Sequence, residues 1–125
     1  MNVSRNFILV GAVYLALGIA LGMYMGASGN HAPAVAHAHI NLLGFTLMAV
    51  FGILYKLYPA MAATRIATAH FWLHLVGSFV VLVMIFALTM GWIAEAQMAP
   101  IAPIAELLVL LGVLAFLWNV VQHVK

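Results

Sequence analysis

The sequence predicts an all-α integral membrane protein, a single-domain four-helix bundle. Of its 125 residues, 68% are hydrophobic and only 5% are charged, and the mean hydropathy is +1.22. A soluble domain carries about 25% charged residues, so four basic and two acidic residues are too few to cover a water-facing surface. The chain also contains four apolar segments of roughly 20 residues, the length that crosses a bilayer. We therefore expect the lipid bilayer to be its solvent.

The predicted spans follow these apolar segments and stop at charged residues or prolines. The first follows Arg5 and is longer than the core of a signal peptide. The second stops at Pro59, and the third stops before the polar turn at Glu95. Pro100 precedes the fourth, as prolines often do at helix starts. The predicted limits of the spans are 6–26, 37–58, 67–93 and 101–121.

The basic residues predict the orientation of the bundle. If four helices alternate across the membrane, one side of it holds every basic residue of the chain: Arg5, Lys56, Arg65 and Lys125. By the positive-inside rule both termini are then cytoplasmic, an N-in/C-in arrangement. We expect a multi-pass protein of the cell inner (cytoplasmic) membrane. The net charge of +2 gives no reason to expect a nucleic-acid partner.

Histidines carry most of the polar chemistry. The chain has no cysteine, which excludes disulfides, thiolate metal sites and cysteine-attached haem. The predicted topology sorts the six histidines into two sets. An outer set contains His31, His37 and His39, and a cytoplasmic set contains His70, His74 and His123. Most of a hydrocarbon core about 30 Å thick separates the sets, so they cannot bind one common metal within a subunit.

His37 and His39 open the second span and are predicted to point to opposite faces. Two residues along an α-helix correspond to about 200° of rotation, which favours two different partners over one shared metal ion. Asn41 and Gly44 follow on the His37 face at helical spacing. Gly44 leaves backbone exposed where a flat ligand or another helix could lie.

The other candidate metal ligands lie on the third and fourth spans. His70 and His74 are four residues apart and share a helix face, and His123 could add a third ligand for copper or zinc. Alternatively, His70 lies among the lipid head groups and His74 is hydrogen-bonded to a neighbour. Glu106 lies one turn into the fourth span, where it could orient an outer histidine or extend to the membrane interface.

Glycines recur on one face of the first span. Gly18, Gly22 and Gly26 are spaced by four residues, a pattern that lets another helix approach closely. The pattern is equally consistent with packing inside the chain and with a subunit interface.

One segment of the second span resembles a known family. Residues 36–45 read Ala-His-Ala-His-Ile-Asn-Leu-Leu-Gly-Phe, which resembles helix ten of the catalytic subunit of haem–copper oxidases and nitric oxide reductases, especially the C-type oxidase branch. Residues 50–59 and 69–73 also look like that branch. By extension the whole chain resembles a freestanding version of helices nine to twelve of the larger subunit.

The resemblance implies haem ligands and also shows what is missing. It implies that His37 would bind a high-spin haem and His39 a low-spin haem. The family's copper-site histidines, its cross-linked tyrosine and the low-spin haem's second ligand belong to helices that this chain lacks. We therefore do not expect the chain to be a complete oxidase by itself.

Three functions stay open from the sequence. The first is a b-type haem protein for electron transfer or small-gas sensing, in which a homo-oligomer shares haem between subunits. The second is a copper- or zinc-binding membrane protein or transporter. The third is a cofactor-free assembly or structural partner of a respiratory complex.

Overall fold

The computed structural model describes residues 1–124 and contains the four membrane-length helices that hydropathy predicts. The second span is continuous from Ala34 to Leu57, but its middle is a π-helical segment, Ile40–Thr46. In chain order the α-helices are α1 (Val3–Ser28), α2 (Ala34–His39), α3 (Leu47–Leu57), the short α4 (Pro59–Ala62), α5 (Arg65–Thr89) and α6 (Ile101–His123).

Local side-chain and backbone signals set the helix ends. The side chains of Asn2 and Thr64 accept hydrogen bonds from backbone N–H groups at the starts of α1 and α5, which satisfies donors that a helix start otherwise leaves unpaired. Gly29 follows α1 with φ 68°, and Gly91 follows α5 with φ 73°. A glycine in this left-handed conformation commonly ends a helix, so α5 ends at Thr89, earlier than the sequence predicts.

The second span begins earlier than predicted. It starts at Ala34, directly after Pro33, whereas the apolar pattern placed the start at His37. Both His37 and His39 consequently lie on a formed helix, and the rotation between successive helical residues fixes their directions.

The helices pack mainly as two pairs. Helix α1 lies along α3 and the π-helical segment, α5 lies along α6, and α2 contacts α5 and α1. We call the end of the bundle that holds residues 1–5 and α4 the termini end, and the end that holds residues 29–33 and 90–100 the loop end. Large apolar side chains remain exposed on all four spans. This surface is compatible with contact with a lipid bilayer.

The glycine face of α1 packs largely inside the chain. A Cβ atom at Gly18 would collide with the Asn41 side chain, and one at Gly22 would lie 3.0 Å from Cε1 of His37. A Cβ atom at Gly26 would meet nothing within 4 Å. The first two glycines therefore let α1 approach the second span closely.

Gly77→Ala should destabilise the bundle, because the backbone of α6 lies directly against α5 at this residue. The added Cβ would lie 2.8 Å from the carbonyl oxygen of Ala105 and 2.9 Å from the backbone nitrogen of Val109. Backbone atoms cannot rotate away, so the two helices must separate, and we expect a loss of about 1–3 kcal/mol. Denaturation in mixed micelles measures it. The control Gly26→Ala should be neutral or stabilising by up to about 1 kcal/mol, and equal losses in both variants would contradict the packing.

Candidate functional sites

His37 faces α1, and both of its ring nitrogens are occupied. Its Nδ1–H donates to the carbonyl oxygen of Gly18 at 2.9 Å, and the Asn41 amide donates to its Nε2 at 3.2 Å. In this arrangement Nδ1 carries the ring proton and Nε2 accepts. His37 ties the first span to the second, and Nε2 can reach a ligand only if Asn41 turns away.

His39 lies on the opposite face and is exposed. Its Nδ1–H donates to the Val35 carbonyl oxygen, one turn earlier, at 2.9 Å. The Nε2 atom has no hydrogen-bond partner among residues 1–124 and keeps its lone pair. Metal-binding histidines commonly hold one ring nitrogen on a carbonyl and present the other to the metal. His39 has this arrangement without further rearrangement.

His39 belongs to an exposed stripe that runs along the second span. Val35 and Leu42, one turn to either side of His39, are 54% and 66% exposed. Thr46 continues the stripe, but its hydroxyl donates to the Asn41 carbonyl oxygen at 2.8 Å. The surface around the His39 ring is thus apolar, and it could lie against a flat apolar ligand.

The π-helical segment lies directly after the two histidines. Such segments are rare and often occur at functional sites. Its carbonyl groups accept hydrogen bonds from side chains, including one at 3.1 Å from Nε2 of His74 to Leu43. Gly44 packs against Tyr14 of α1, because an added Cβ would lie 2.6 Å from Cγ of that ring. Of the two possibilities at Gly44, the structure therefore shows contact with another helix.

His70 and His74 are fully buried between the helices, both with 0% exposure. His70 Nδ1 shares a hydrogen bond of 2.9 Å with the Tyr55 hydroxyl, while His74 bonds Leu43 as described above. The structure thus places His70 inside the bundle rather than on its surface. The remaining nitrogens, His70 Nε2 and His74 Nδ1, have no hydrogen-bond partner among the described residues.

Aromatic rings enclose this pair of histidines. The two imidazole centroids are 6.0 Å apart. Phe51 lies 4.5 Å from His70 and 5.4 Å from His74, and Phe7 lies 4.9 Å and 6.3 Å from the same two rings. Phe116 contacts His70 at 5.3 Å. The two histidines therefore share one compartment lined by aromatic rings.

The other candidate ligands lie apart from these groups. His123 Nδ1–H donates to the Asn119 carbonyl oxygen of its own helix at 3.0 Å. Glu106 is exposed on α6, which packs chiefly on α5 rather than on α2. Within residues 1–124, no three histidine or carboxylate side chains converge to hold a metal ion. The structure therefore joins His70 with His74 but does not add His123, and it does not place Glu106 beside the outer histidines.

The sequence interpretation missed several polar partners inside the bundle. Asn119 is buried, and its amide donates to the Met61 carbonyl oxygen at 3.0 Å. Tyr14 and Ser78 share a hydrogen bond of 3.3 Å between α1 and α5. The available signal was the presence of polar side chains within apolar spans, since such residues are costly in a membrane and are usually paired or functional.

Comparisons of the chain with protein-family models, with curated proteins and with solved structures give no match.

Proposed function

We propose that this protein is a haem-binding integral membrane protein in which His39 is an axial ligand of a b-type haem. The observation that carries the proposal is the His39 imidazole, whose Nδ1–H is fixed on the Val35 carbonyl oxygen while Nε2 remains free. When bound, haem would supply one-electron transfer or binding of a small gas. Electron transfer or gas sensing suits a chain without the copper ligands of a complete oxidase.

The two histidines of the motif differ in their fit to haem. The His37 face is closed, because Gly18 and Gly22 of α1 lie directly against Asn41 and His37. A macrocycle cannot enter between these helices without separating them. The His39 face is open, and exposed apolar residues lie one turn above and below its ring. The contrast supports His39 as the haem ligand. The family resemblance assigns the low-spin haem to the same residue.

A second copy of the chain would complete the site. A low-spin haem needs two axial ligands, and the second span presents a single imidazole on its exposed face. Most homo-oligomers have closed symmetry, in which a two-fold axis places the same residue on both sides of the interface. Two copies of His39, one from each chain, would then bind the same haem.

The experiment is an absorption spectrum of the protein purified in mild detergent after expression with ample haem. We expect a Soret band and, on reduction, a sharp α band typical of six-coordinate low-spin haem, with about one haem for two chains. A preparation without a Soret band would contradict the proposal. If the haem-free protein co-purified with a larger respiratory complex, the role of assembly partner would replace the proposed haem-binding role.

We also propose that the termini end faces the cytoplasm and that the membrane is the cell inner membrane. Arg5, Lys56 and Arg65 are exposed at this end. The positive-inside rule places the side with more lysine and arginine in the cytoplasm. Lys125, which the sequence prediction also used, lies outside the described residues. In this orientation His39 lies in the outer half of the membrane.

Cysteine labelling tests the orientation, because the chain has no cysteine of its own. Asn30→Cys places a thiol at the exposed loop end, and Ala60→Cys places one at the exposed termini end. In intact cells a membrane-impermeant maleimide should label the first variant and leave the second unlabelled until the cells are lysed. The reverse pattern would place both termini outside.

A further inference from the structure

The two unpaired nitrogens of the interior histidines need a partner that the protein does not supply. His70 Nε2 and His74 Nδ1 are buried and have no hydrogen-bond partner among residues 1–124. A buried polar atom without a partner costs about 1–3 kcal/mol, and buried groups of this kind are normally satisfied. The two atoms belong to neighbouring rings whose centroids are 6.0 Å apart, so one small ligand could bind both.

The hydrogen bonds around the rings allow both nitrogens to act as metal ligands. His74 donates from Nε2 to the Leu43 carbonyl oxygen, so Nδ1 carries a lone pair. His70 contacts the Tyr55 hydroxyl through Nδ1. When Nδ1–H donates to that oxygen, Nε2 of His70 also carries a lone pair. Each ring would then be oriented by an oxygen on the second span, as metal-binding histidines commonly are.

We propose that His70 and His74 form an intramembrane site for one Cu(I) ion. Imidazole nitrogens bind copper well, and Cu(I) accepts two ligands. Structural Zn²⁺ usually takes four, and no third histidine or carboxylate joins the pair within residues 1–124. A monovalent ion also carries less charge into an interior without a neutralising carboxylate, where buried charge is costly.

The aromatic compartment suits a monovalent cation. Phe51 and Phe7 each contact both imidazoles, with centroid distances between 4.5 and 6.3 Å. The face of an aromatic ring attracts a cation within about 6 Å of the centroid. The rings of Phe7 and Phe51 would therefore help to hold the ion.

A route to the site begins at the termini end. A cavity of about 300 Å³ there is lined by residues that include Met1, Lys56 and Tyr55, and Tyr55 contacts His70 directly. The thioether of Met1 is a soft group of the kind that binds Cu(I). This route runs from the start of α1, with α3 and α4, to His70. Because it does not include His39, the copper site does not depend on haem binding.

Anaerobic titration with Cu(I) against a chromogenic Cu(I) chelator tests the proposal. The protein used as the background for this titration carries His31→Gln and His39→Gln, because these substitutions remove two exposed imidazoles. We expect about one Cu(I) for each chain, and its loss in His70→Gln and His74→Gln. Tyr55→Phe should weaken binding by about 10–100-fold.

The matched control is His123→Gln, which changes an imidazole at the same end of the bundle and should retain the copper. X-ray absorption of the copper-loaded background needs no further variant and should show two imidazole nitrogens and no sulfur. Full copper binding after both His70 and His74 are replaced would overturn the proposal, and so would coordination dominated by sulfur.

Discussion

Replacing His39 by glutamine should remove haem from the purified protein, whereas replacing His37 by glutamine should leave it bound. Glutamine keeps a polar side chain but lacks the imidazole nitrogen that would bind iron. Of these two histidines, His39 offers such a nitrogen without first breaking a contact, whereas Asn41 occupies Nε2 of His37. We expect haem content to fall by at least about 10-fold in His39→Gln. The Soret absorbance per chain measures the effect.

The His37→Gln variant is an informative control because it should still be perturbed. It loses the bond to the Gly18 carbonyl oxygen, which contributes about 1 kcal/mol, so the denaturation midpoint should fall slightly while haem remains. Helical content measured by circular dichroism shows whether either variant has unfolded. Loss of haem from a folded His37→Gln protein, with retention in His39→Gln, would reverse the assignment.

Replacing His74 by alanine should cause a large loss of stability. The side chain is fully buried, and its Nε2–H is the donor to the Leu43 carbonyl oxygen in the π-helical segment. Alanine removes this donor and leaves a cavity, so we expect a loss of about 2–5 kcal/mol. Denaturation in mixed micelles measures it without any cofactor.

Two further variants separate the causes of that loss. His74→Leu fills most of the volume and removes only the hydrogen bond, so its cost should be nearer 1–3 kcal/mol, a rough value for an unpaired carbonyl. His31→Ala changes an exposed loop residue and should lie within about 0.5 kcal/mol of the parent protein. If His74→Ala lowered the free energy of unfolding no more than His31→Ala, the hydrogen bond to Leu43 would not stabilise the fold.

Features set by local sequence could be predicted in advance. The spans follow from apolar runs long enough to cross a bilayer, and the four helices confirm this prediction. Helical rotation predicted that His37 and His39 point to opposite faces, and their different partners agree with it. The exact ends of the helices depend on Pro33 and Gly91. A hydropathy profile does not include the effects of these residues on the backbone.

Features that depend on contacts between spans could not be predicted in this way. The partners of His70, His74 and Asn119 are 15, 31 and 58 residues away in the chain. Such pairs depend on the relative rotation and depth of two helices, and hydrophobic patterns leave both open. For the same reason, similar predicted depth grouped His123 with His70 and His74, but depth alone does not fix which way a side chain faces, and the structure brings no third histidine or carboxylate to the pair within residues 1–124.

The most direct test of the proposed function is the haem content of mixed oligomers. Wild-type and His39→Gln chains with different tags can be co-expressed in equal amounts and purified together. If two copies of His39 hold each haem, only dimers with two wild-type chains should bind it, and haem content should fall to about one quarter of the wild-type value. A fall to about one half would show that each chain binds haem without the second His39 and would contradict the shared site.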